Sequence, residues 1–202
     1  VDVSYCNVTS VTALSGLPEL EKLSMYGNAL TTLQGLGNLP KLTMLEVGRN
    51  AITQIPSMMG LGLLDSIGAS RNVLTSVHGL SSFPALTKAY LGSNPLQDNG
   101  VGVFQNMANI KIVSLEETKI STVNTFLNNA NFATGDVLSA TGCPLTAEAA
   151  CVDVAALEDR GVVVQFDGTP CEGATKVDKC VDALKLNIND RQYGDLTSAT
   201  GP

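Results

Sequence analysis

Asparagine recurs at equal intervals along this chain, at Asn28, Asn50, Asn72 and Asn94. Each copy ends the same short frame, in which apolar residues alternate with other residues, as in Leu20 to Asn28. Self-similarity at a fixed period of roughly 20–50 residues indicates a solenoid, in which each repeat stacks on its neighbours. The interval therefore constrains the architecture more than any other feature, and it places one asparagine in each turn.

The frame continues beyond the four asparagines, with other small residues in their place. Cys6 precedes Asn28 by the same interval, whereas Thr118 follows Asn94, and Cys143 follows Thr118, at slightly longer intervals. The sequence thus predicts seven turns, and the two longer intervals are expected to add loops on the outer face. Each of these ladder residues is predicted to point inward and bond to the backbone, at about 1 kcal/mol net per hydrogen bond.

Apolar residues recur at every third position after each ladder residue. In the first turn these positions hold Val8, Val11, Leu14, Leu17 and Leu20, and the next three turns keep the same register. The alternating half of each repeat predicts a short strand with one buried face. The three-residue spacing predicts an irregular or 3₁₀-like return along the outside.

The frame Leu20-Glu-Lys-Leu23-Ser-Met25-Tyr-Gly-Asn28 resembles the leucine-rich repeat, L-x-x-L-x-L-x-x-N/C-x-L. The segment from Pro144 to Val164 is similar to the closing segment of internalin-like bacterial repeat proteins. This resemblance implies an α/β solenoid with a parallel concave sheet, an irregular or 3₁₀ convex side and a C-terminal cap that contains a helix. The expected organisation is leucine-rich repeats at 1–145, a cap at 146–190 and a tail at 191–202.

The cap is predicted to begin with a helix from Thr146 to Gly161, because threonine is a good N-cap and glycine a good C-terminal stop. Residues 162–166 predict a last strand of the stack. Residues 175–187 predict a second, amphipathic helix that covers the end of the core.

Cysteine usage indicates an oxidising, extracellular setting. Cys6 and Cys143 are predicted to be buried ladder thiols, yet four cysteines within residues 143–180 also suggest a cap closed by one or two disulfides. The favoured pairing joins Cys171 to Cys180 and Cys143 to Cys151, and Cys151–Cys171 is the main rival. A metal site is disfavoured because the spacings differ from those of zinc ligands.

Charge and motif content disfavour several functions. The net charge of −7 disfavours nucleic acid and anionic membranes as partners. No apolar run reaches the roughly 20 residues needed to cross a bilayer, so membrane insertion is not expected. Catalytic motifs are absent, and the single histidine, His78, is predicted to be an exposed residue of the outer arc. The chain is therefore predicted to be non-enzymatic and to need no cofactor or metal.

The resemblance implies that the concave face binds a protein partner, in recognition or adhesion at a cell surface or after secretion. The residues implied for that contact are Tyr26, Met44, Glu46, Arg49, Arg71, Lys88, Tyr90 and Glu116. The alternative is a self-associating subunit of an extracellular assembly. In that case Val1, Val3, Val8 and Val11 would form an uncapped N-terminal end that stacks on another copy. Because Val1 already lies in a predicted strand, the chain is expected to be a processed or excised product.

Overall fold

The computed structural model describes residues 1–168, and the observations below concern that part of the chain. It contains a seven-stranded parallel sheet in which the spatial order of the strands is their order in the chain. The strands are β1 (Lys22–Ser24), β2 (Met44–Glu46), β3 (Ser66–Gly68), β4 (Lys88–Tyr90), β5 (Ile112–Ser114), β6 (Val137–Ser139) and β7 (Val163–Gln165). The predicted α/β solenoid with one strand per turn is therefore confirmed.

The register of the sheet repeats from strand to strand. Leu23, Leu45 and Ile67 are paired neighbours at the centre of β1, β2 and β3. The first turn adds to the same edge, because Asp2 forms a bridge with Ser24 and the Val3 N–H donates to the Ser24 carbonyl at 2.9 Å. Residues that occupy the same place in the repeat therefore lie side by side across the sheet.

The return path of most turns is irregular or 3₁₀, as the three-residue spacing predicts. The 3₁₀ segments are Thr12–Leu14, His78–Ser82 and Asp98–Asn106. The longer turn that follows Asn94 contains Asp98–Asn106, and the longer turn that follows Thr118 contains the short helix α1, Asn124–Leu127. The extra residues thus lie on the outer arc and leave the strand register unchanged.

A single hydrophobic core runs through the turns. All fifteen predicted inward positions of the second, third and fourth turns are at most 4% exposed. The first turn differs, because Leu17 is 39% exposed and Val8 and Leu14 are only half-buried. The prediction that Leu17 points inward is therefore wrong. Val11 and Leu20 alone are fully buried among the five predicted positions of that turn.

The asparagines form a ladder of side-chain hydrogen bonds to the backbone. The Asn72 amide nitrogen donates to the carbonyls of Val47 and Ala69, both at 3.0 Å, and its oxygen accepts the Ile52 N–H at 2.9 Å. Asn28, Asn50 and Asn94 repeat this pattern. Each amide therefore fixes its own turn and also joins it to the preceding one.

The substitute ladder residues behave differently from one another. Thr118 is buried and donates to the Leu115 carbonyl at 2.8 Å. The Cys143 thiol is half-buried and lies 3.0 Å from the same carbonyl and 3.3 Å from the Thr118 hydroxyl. The prediction of a buried thiol at Cys6 is wrong, because Cys6 lies in the first turn and its side chain is exposed.

The cap begins as the sequence predicts, with one interruption. Thr146 accepts the Ala149 N–H at 3.1 Å, and Gly161 follows the helix with a φ of +90°. Between them the chain forms a π-helical segment, Ala149–Asp153, and then the helix α2, Val154–Asp159. The strand β7 confirms the predicted last strand. The helix predicted at 175–187 and the tail at 191–202 lie outside the described residues.

Arg160, which sequence reasoning missed, joins the cap to the preceding turn. Its guanidinium donates to the carbonyls of Leu127 at 2.9 Å and Asn129 at 3.0 Å, and more distantly to those of Phe126 and Phe132 at 3.4 Å. These carbonyls come from α1 and the residues that follow it. The side chain therefore satisfies acceptors that the end of a helix leaves without intrahelical partners.

Cys143 is a free thiol, which corrects the favoured disulfide pairing. The sulfur faces the Leu115 carbonyl inside the ladder. The Cys143–Cys151 bond that the sequence favoured is therefore not formed. Cys171 and Cys180 lie outside the described residues, so the Cys171–Cys180 pairing and its rival Cys151–Cys171 stay predictions.

Candidate functional site

The outward side chains of β1–β7 and of the residues just after them form one continuous surface, here called the strand face. Its middle is lined by small residues, namely Ser66, Gly68, Ser70 and Gly92. Met44 and Tyr90 project from it as exposed apolar or aromatic side chains. The middle of the strand face is therefore flat, and the large side chains of Met44 and Tyr90 project beside it.

The Glu46 side chain lies flat against the strand face and does not project from it. One carboxylate oxygen accepts the Gly48 N–H at 2.8 Å, and the other lies over Gly68, where an added Cβ would collide with it. Burial raises the pKa of Glu46 above its ordinary value, although the bond from Gly48 opposes the rise. The two glycines thus make room for a partly desolvated carboxylate.

Glu116 lies in a similar way over the glycine of another turn. Its carboxylate accepts a short hydrogen bond from the Ser114 hydroxyl, and a Cβ added to Gly92 would lie 2.9 Å from the same oxygen. Glu46 and Glu116 are therefore both held against the sheet, on either side of Tyr90.

Lys88 has a charged partner within the chain. Its ammonium lies 3.2 Å from the Asp65 carboxylate, which also accepts the Thr87 hydroxyl at 2.5 Å. The Thr87 hydrogen bond is the main cause that lowers the pKa of Asp65, and Lys88 adds to it. Among the predicted contact residues, Lys88 alone forms a salt bridge within residues 1–168.

A second row of side chains runs along the carboxyl ends of the strands. It consists of the residues immediately before the ladder positions, and it is here called the turn row: Tyr5, Gly27, Arg49, Arg71, Ser93, Glu117 and Gly142. All seven have a φ between +52° and +73°. From Tyr5 to Glu117, each N–H donates to a carbonyl of the next turn, as Arg71 does to Gly92 at 2.9 Å. The row is therefore a regular edge of the solenoid.

This conformation is unfavourable for every residue except glycine. A left-handed backbone costs an L-residue about 1–2 kcal/mol because Cβ approaches the following carbonyl oxygen. Gly27 and Gly142 demonstrate that glycine fits the row. The other five positions nevertheless hold side chains, and three of those are charged.

An aromatic cluster occupies the N-terminal end of the turn row. Tyr5 packs edge-on against Tyr26, with 5.6 Å between ring centroids, and the Arg49 guanidinium lies 6.0 Å above the Tyr5 ring. The Tyr5 ring covers Gly27, where an added Cβ would lie 2.6 Å from it. Tyr5 is 66% exposed, so the cluster is ordered by its own contacts and open to solvent.

The charges of the turn row have no ionic partner among residues 1–168. The salt bridges found there join Lys41 to Glu19 and Lys88 to Asp65. Arg49, Arg71 and Glu117 are exposed. Glu117 is oriented by the Ser93 hydroxyl, which donates to its carboxylate at 2.6 Å.

The structure therefore divides the predicted contact residues into two sets. Tyr26, Met44, Glu46, Lys88, Tyr90 and Glu116 lie on the strand face, whereas Arg49 and Arg71 lie on the turn row. Sequence reasoning missed Tyr5, Ser93 and Glu117. The available signal was their position, one residue before a ladder residue, which they share with Arg49 and Arg71.

The side chains of Asp98 and His78 both form hydrogen bonds on the outer arc. Asp98 accepts hydrogen bonds from the Ser121 N–H, the Ser121 hydroxyl and the Thr122 N–H, so its carboxylate connects two turns. His78 is exposed and contacts the Ser76 hydroxyl. Within residues 1–168 no group of three His, Cys, Asp or Glu side chains could hold a metal ion. None of the helices in that region is long and apolar enough to span a membrane.

Comparison with solved structures identifies the fold. An internalin (inlF) from Listeria monocytogenes superposes with a TM-score of 0.68 at 20% identity, over 86% of this chain and 50% of that one. Internalin C2 from the same organism gives a TM-score of 0.54 at 19% identity, over 82% of this chain and 79% of that one. A Shigella effector leucine-rich repeat domain gives 0.53 at 22% identity, over 75% and 67%.

This chain thus has the internalin-like leucine-rich repeat fold, and it spans half the length of inlF. No protein-family model matches the chain, and no curated protein sequence matches it.

Proposed function

We propose that this chain is a non-catalytic recognition module that binds another protein through its strand face and the adjoining turn row. The observation that carries the proposal is the set of side chains in the turn row. Arg49 and Arg71 occupy positions where glycine would be less strained, and neither forms an ion pair within residues 1–168. Both positive charges are therefore available to a partner.

The aromatic cluster of Tyr5, Tyr26 and Arg49 also supports binding through this surface. Tyrosine and arginine, together with tryptophan, are the residue types most enriched among the side chains that dominate protein interfaces. Tyr5, Tyr26 and Arg49 hold each other in place before any partner arrives. A preorganised cluster loses less entropy on binding than a mobile one.

We further propose that the module is secreted or displayed at a cell surface, with a role in recognition or adhesion. The cysteine content of the C-terminal segment supports an oxidising setting. The fold is shared with internalins and with a domain described as a Shigella effector.

The test is a comparative capture experiment. The immobilised wild-type chain, Tyr26→Ala, Arg49→Gly and Tyr90→Ala are each exposed to the same extract of candidate target cells. The retained proteins are then quantified by mass spectrometry. Lys41→Ala is the matched control, because it removes an exposed charge that lies on neither surface. We expect at least one protein that the wild type and the control retain and that the strand-face and turn-row variants lose.

The binding proposal is overturned if all variants retain the same proteins to the same extent. A protein that survives every substitution contacts another part of the chain. Loss with Tyr90→Ala alone would restrict the contact to the strand face and exclude the turn row.

A second candidate is the self-associating subunit that stacks through its N-terminal end. The observation in its favour is that Val1 is 63% exposed and Val3 only half-buried, beside a strand edge. Light scattering over a range of concentrations would show growing polymers that Val3→Lys abolishes. A single species of monomer mass would contradict it.

A further inference from the structure

The charges of the turn row are arranged in an order that is complementary to itself. Three consecutive positions of the turn row, here called rungs, hold Arg71, Ser93 and Glu117. The Arg71 N–H donates to the Gly92 carbonyl, and the Ser93 N–H donates to the Glu116 carbonyl. The positive and negative ends are thus two rungs apart, or about 10 Å at the spacing of neighbouring strands. Ser93 lies midway between them.

We infer that a second copy of this chain docks against the turn row, in a side-by-side dimer whose two-fold axis passes near Ser93. A two-fold axis places the same patch of both copies face to face, so the residue on one side of the axis meets the residue from the other side. Arg71 of each copy would then face Glu117 of the other. The dimer forms two identical ion pairs from charges that lack a partner within residues 1–168.

The neighbouring positions permit this approach. The rung beyond Glu117 carries Gly142, which has no side chain, and it would meet Arg49 from the other copy. Ser93 is small, so the two backbones can come close at the axis. Its hydroxyl already orients the Glu117 carboxylate at 2.6 Å, which leaves further acceptor capacity for an arginine.

The chemistry favours a second copy over a partner of uniform charge at this row. A partner of uniform charge would meet repulsion at one end, because Arg49 and Arg71 precede Ser93 whereas Glu116 and Glu117 follow it. The net charge of −7 opposes association of two copies at long range, so we expect a weak dimer. Salt would weaken both the attraction and the repulsion, and charge exchange is therefore a sharper test than salt.

The experiment is sedimentation equilibrium on the full chain and four variants over a range of concentrations. Arg71→Glu and Glu117→Arg should each be monomeric, because every homodimer contact would join like charges. An equimolar mixture of the two should dimerise again, since both contacts in the mixed dimer join opposite charges. The double variant, which carries both changes in one chain, should dimerise like the wild type. Lys41→Glu is the control for a charge reversal elsewhere and should leave the dimer intact.

Folding is checked separately for each variant by circular dichroism, and Arg71→Gly gives a second way to remove the charge. Glycine suits the backbone there, and this variant should be folded and monomeric. A monomeric wild type at every concentration overturns the dimer. The same holds if a dimer persists in Arg71→Glu, or if neither the mixture nor the double variant recovers it. These outcomes leave the proposed protein-binding function standing, because its own test measures the capture of a different protein.

Discussion

A backbone conformation that suits glycine recurs at seven residues along one edge of this protein, and only two of them are glycine. The cost is local, since each of the other five residues holds its Cβ close to a carbonyl oxygen. The hydrogen bonds from the turn row to the next turn keep that conformation in place. A substitution in the turn row can therefore remove a surface side chain and at the same time raise the stability of the chain.

Arg71→Gly tests this expectation at one residue. We expect the free energy of unfolding to rise by up to about 1 kcal/mol, because glycine relieves the left-handed strain. Arg71→Ala is the matched variant, since it removes the same side chain and keeps the strain, and it should leave stability nearly unchanged. Urea denaturation gives both values. A clear loss of stability in Arg71→Gly would contradict the interpretation.

The opposite substitution should have the opposite sign. Gly27→Ala introduces a Cβ at a φ of +67°, 2.6 Å from the Tyr5 ring. We expect a loss of about 1–2 kcal/mol from backbone strain, together with displacement of Tyr5. Tyrosine fluorescence should report the displaced ring, and an unchanged denaturation midpoint would argue against this account.

The sign of the pKa shift at Glu46 gives a pH-dependent prediction. Burial raises its pKa in the folded chain, so the folded chain binds this proton more readily than the unfolded chain. The ionised Glu46 carboxylate therefore destabilises the folded chain most at neutral pH. This effect disappears below the pKa that Glu46 has in the unfolded chain, about 4.3. Glu46→Gln should melt at a higher temperature than the wild type at pH 7 and at the same temperature near pH 4.

Asp65 provides the comparison of opposite sign for that experiment. Its pKa is lowered in the folded chain, so it contributes stability above the unfolded value of about 3.9, and the contribution is lost as the pH falls through the folded value. Asp65→Asn should therefore lower the melting temperature at pH 7. If both variants shifted the melting temperature in the same direction, the assignment of these two carboxylates would be wrong.

At the scale of elements, Arg160 is the cap side chain that donates to four carbonyls of the preceding turn. Arg160→Met keeps the aliphatic stem but leaves four carbonyls without the guanidinium. Hydrogen bonds to a charged group contribute about 1.5–3 kcal/mol, and we expect a loss of that order. Hydrogen exchange should speed up at 124–132 and in α2 and stay unchanged in β1–β3. Uniform acceleration along the chain would contradict a local role.

The elements themselves were predictable to different degrees. The strands followed from the regular asparagine interval because period-two alternation and the ladder residue fix both their position and their register. The cap helix followed from Thr146 and Gly161. Its π-helical turn at Ala149–Asp153 had no visible signal, since all its residues are compatible with an α-helix. Arg160 was missed because its partners are carbonyls of a distant part of the chain.

The candidate site was less predictable than the fold, for a physical reason. Alternation along a strand shows which side chains point outward, and that placed Tyr26, Glu46 and Tyr90 correctly on the strand face. It says nothing of residues beyond the strand, where a positive φ turns the side chain along the edge. Tyr5 was missed for this reason, because it lies beyond the alternating positions of its turn with a φ of +57°.

At the scale of the whole molecule, the cysteines report how the turns and the cap are joined. We expect Cys6 to react rapidly with an alkylating reagent in the folded chain, because it is exposed. Cys143 should react slowly until the chain is unfolded, since it is half-buried in the ladder. Non-reducing peptide mapping should find no Cys143–Cys151 bond, and its detection would contradict the free thiol.

The ladder also determines how the molecule would respond to force. Tension along the solenoid axis loads the contacts between successive turns in series, so the turn boundary with the fewest bonds gives way first. Asn94 donates to Ala69 in the preceding turn at 3.0 Å, whereas the Thr118 hydroxyl donates to Leu115 within its own turn. The boundary between the turn of Asn94 and the turn of Thr118 lacks that amide bridge, and side chains of the outer arc join it instead. Asp98 accepts hydrogen bonds from Ser121 and Thr122, and the Asn129 amide donates to the Phe104 and Met107 carbonyls. A chain anchored at one end and pulled by a bound partner at the other would therefore carry the load through the outer arc at this boundary and through the asparagine amides at the boundaries before it.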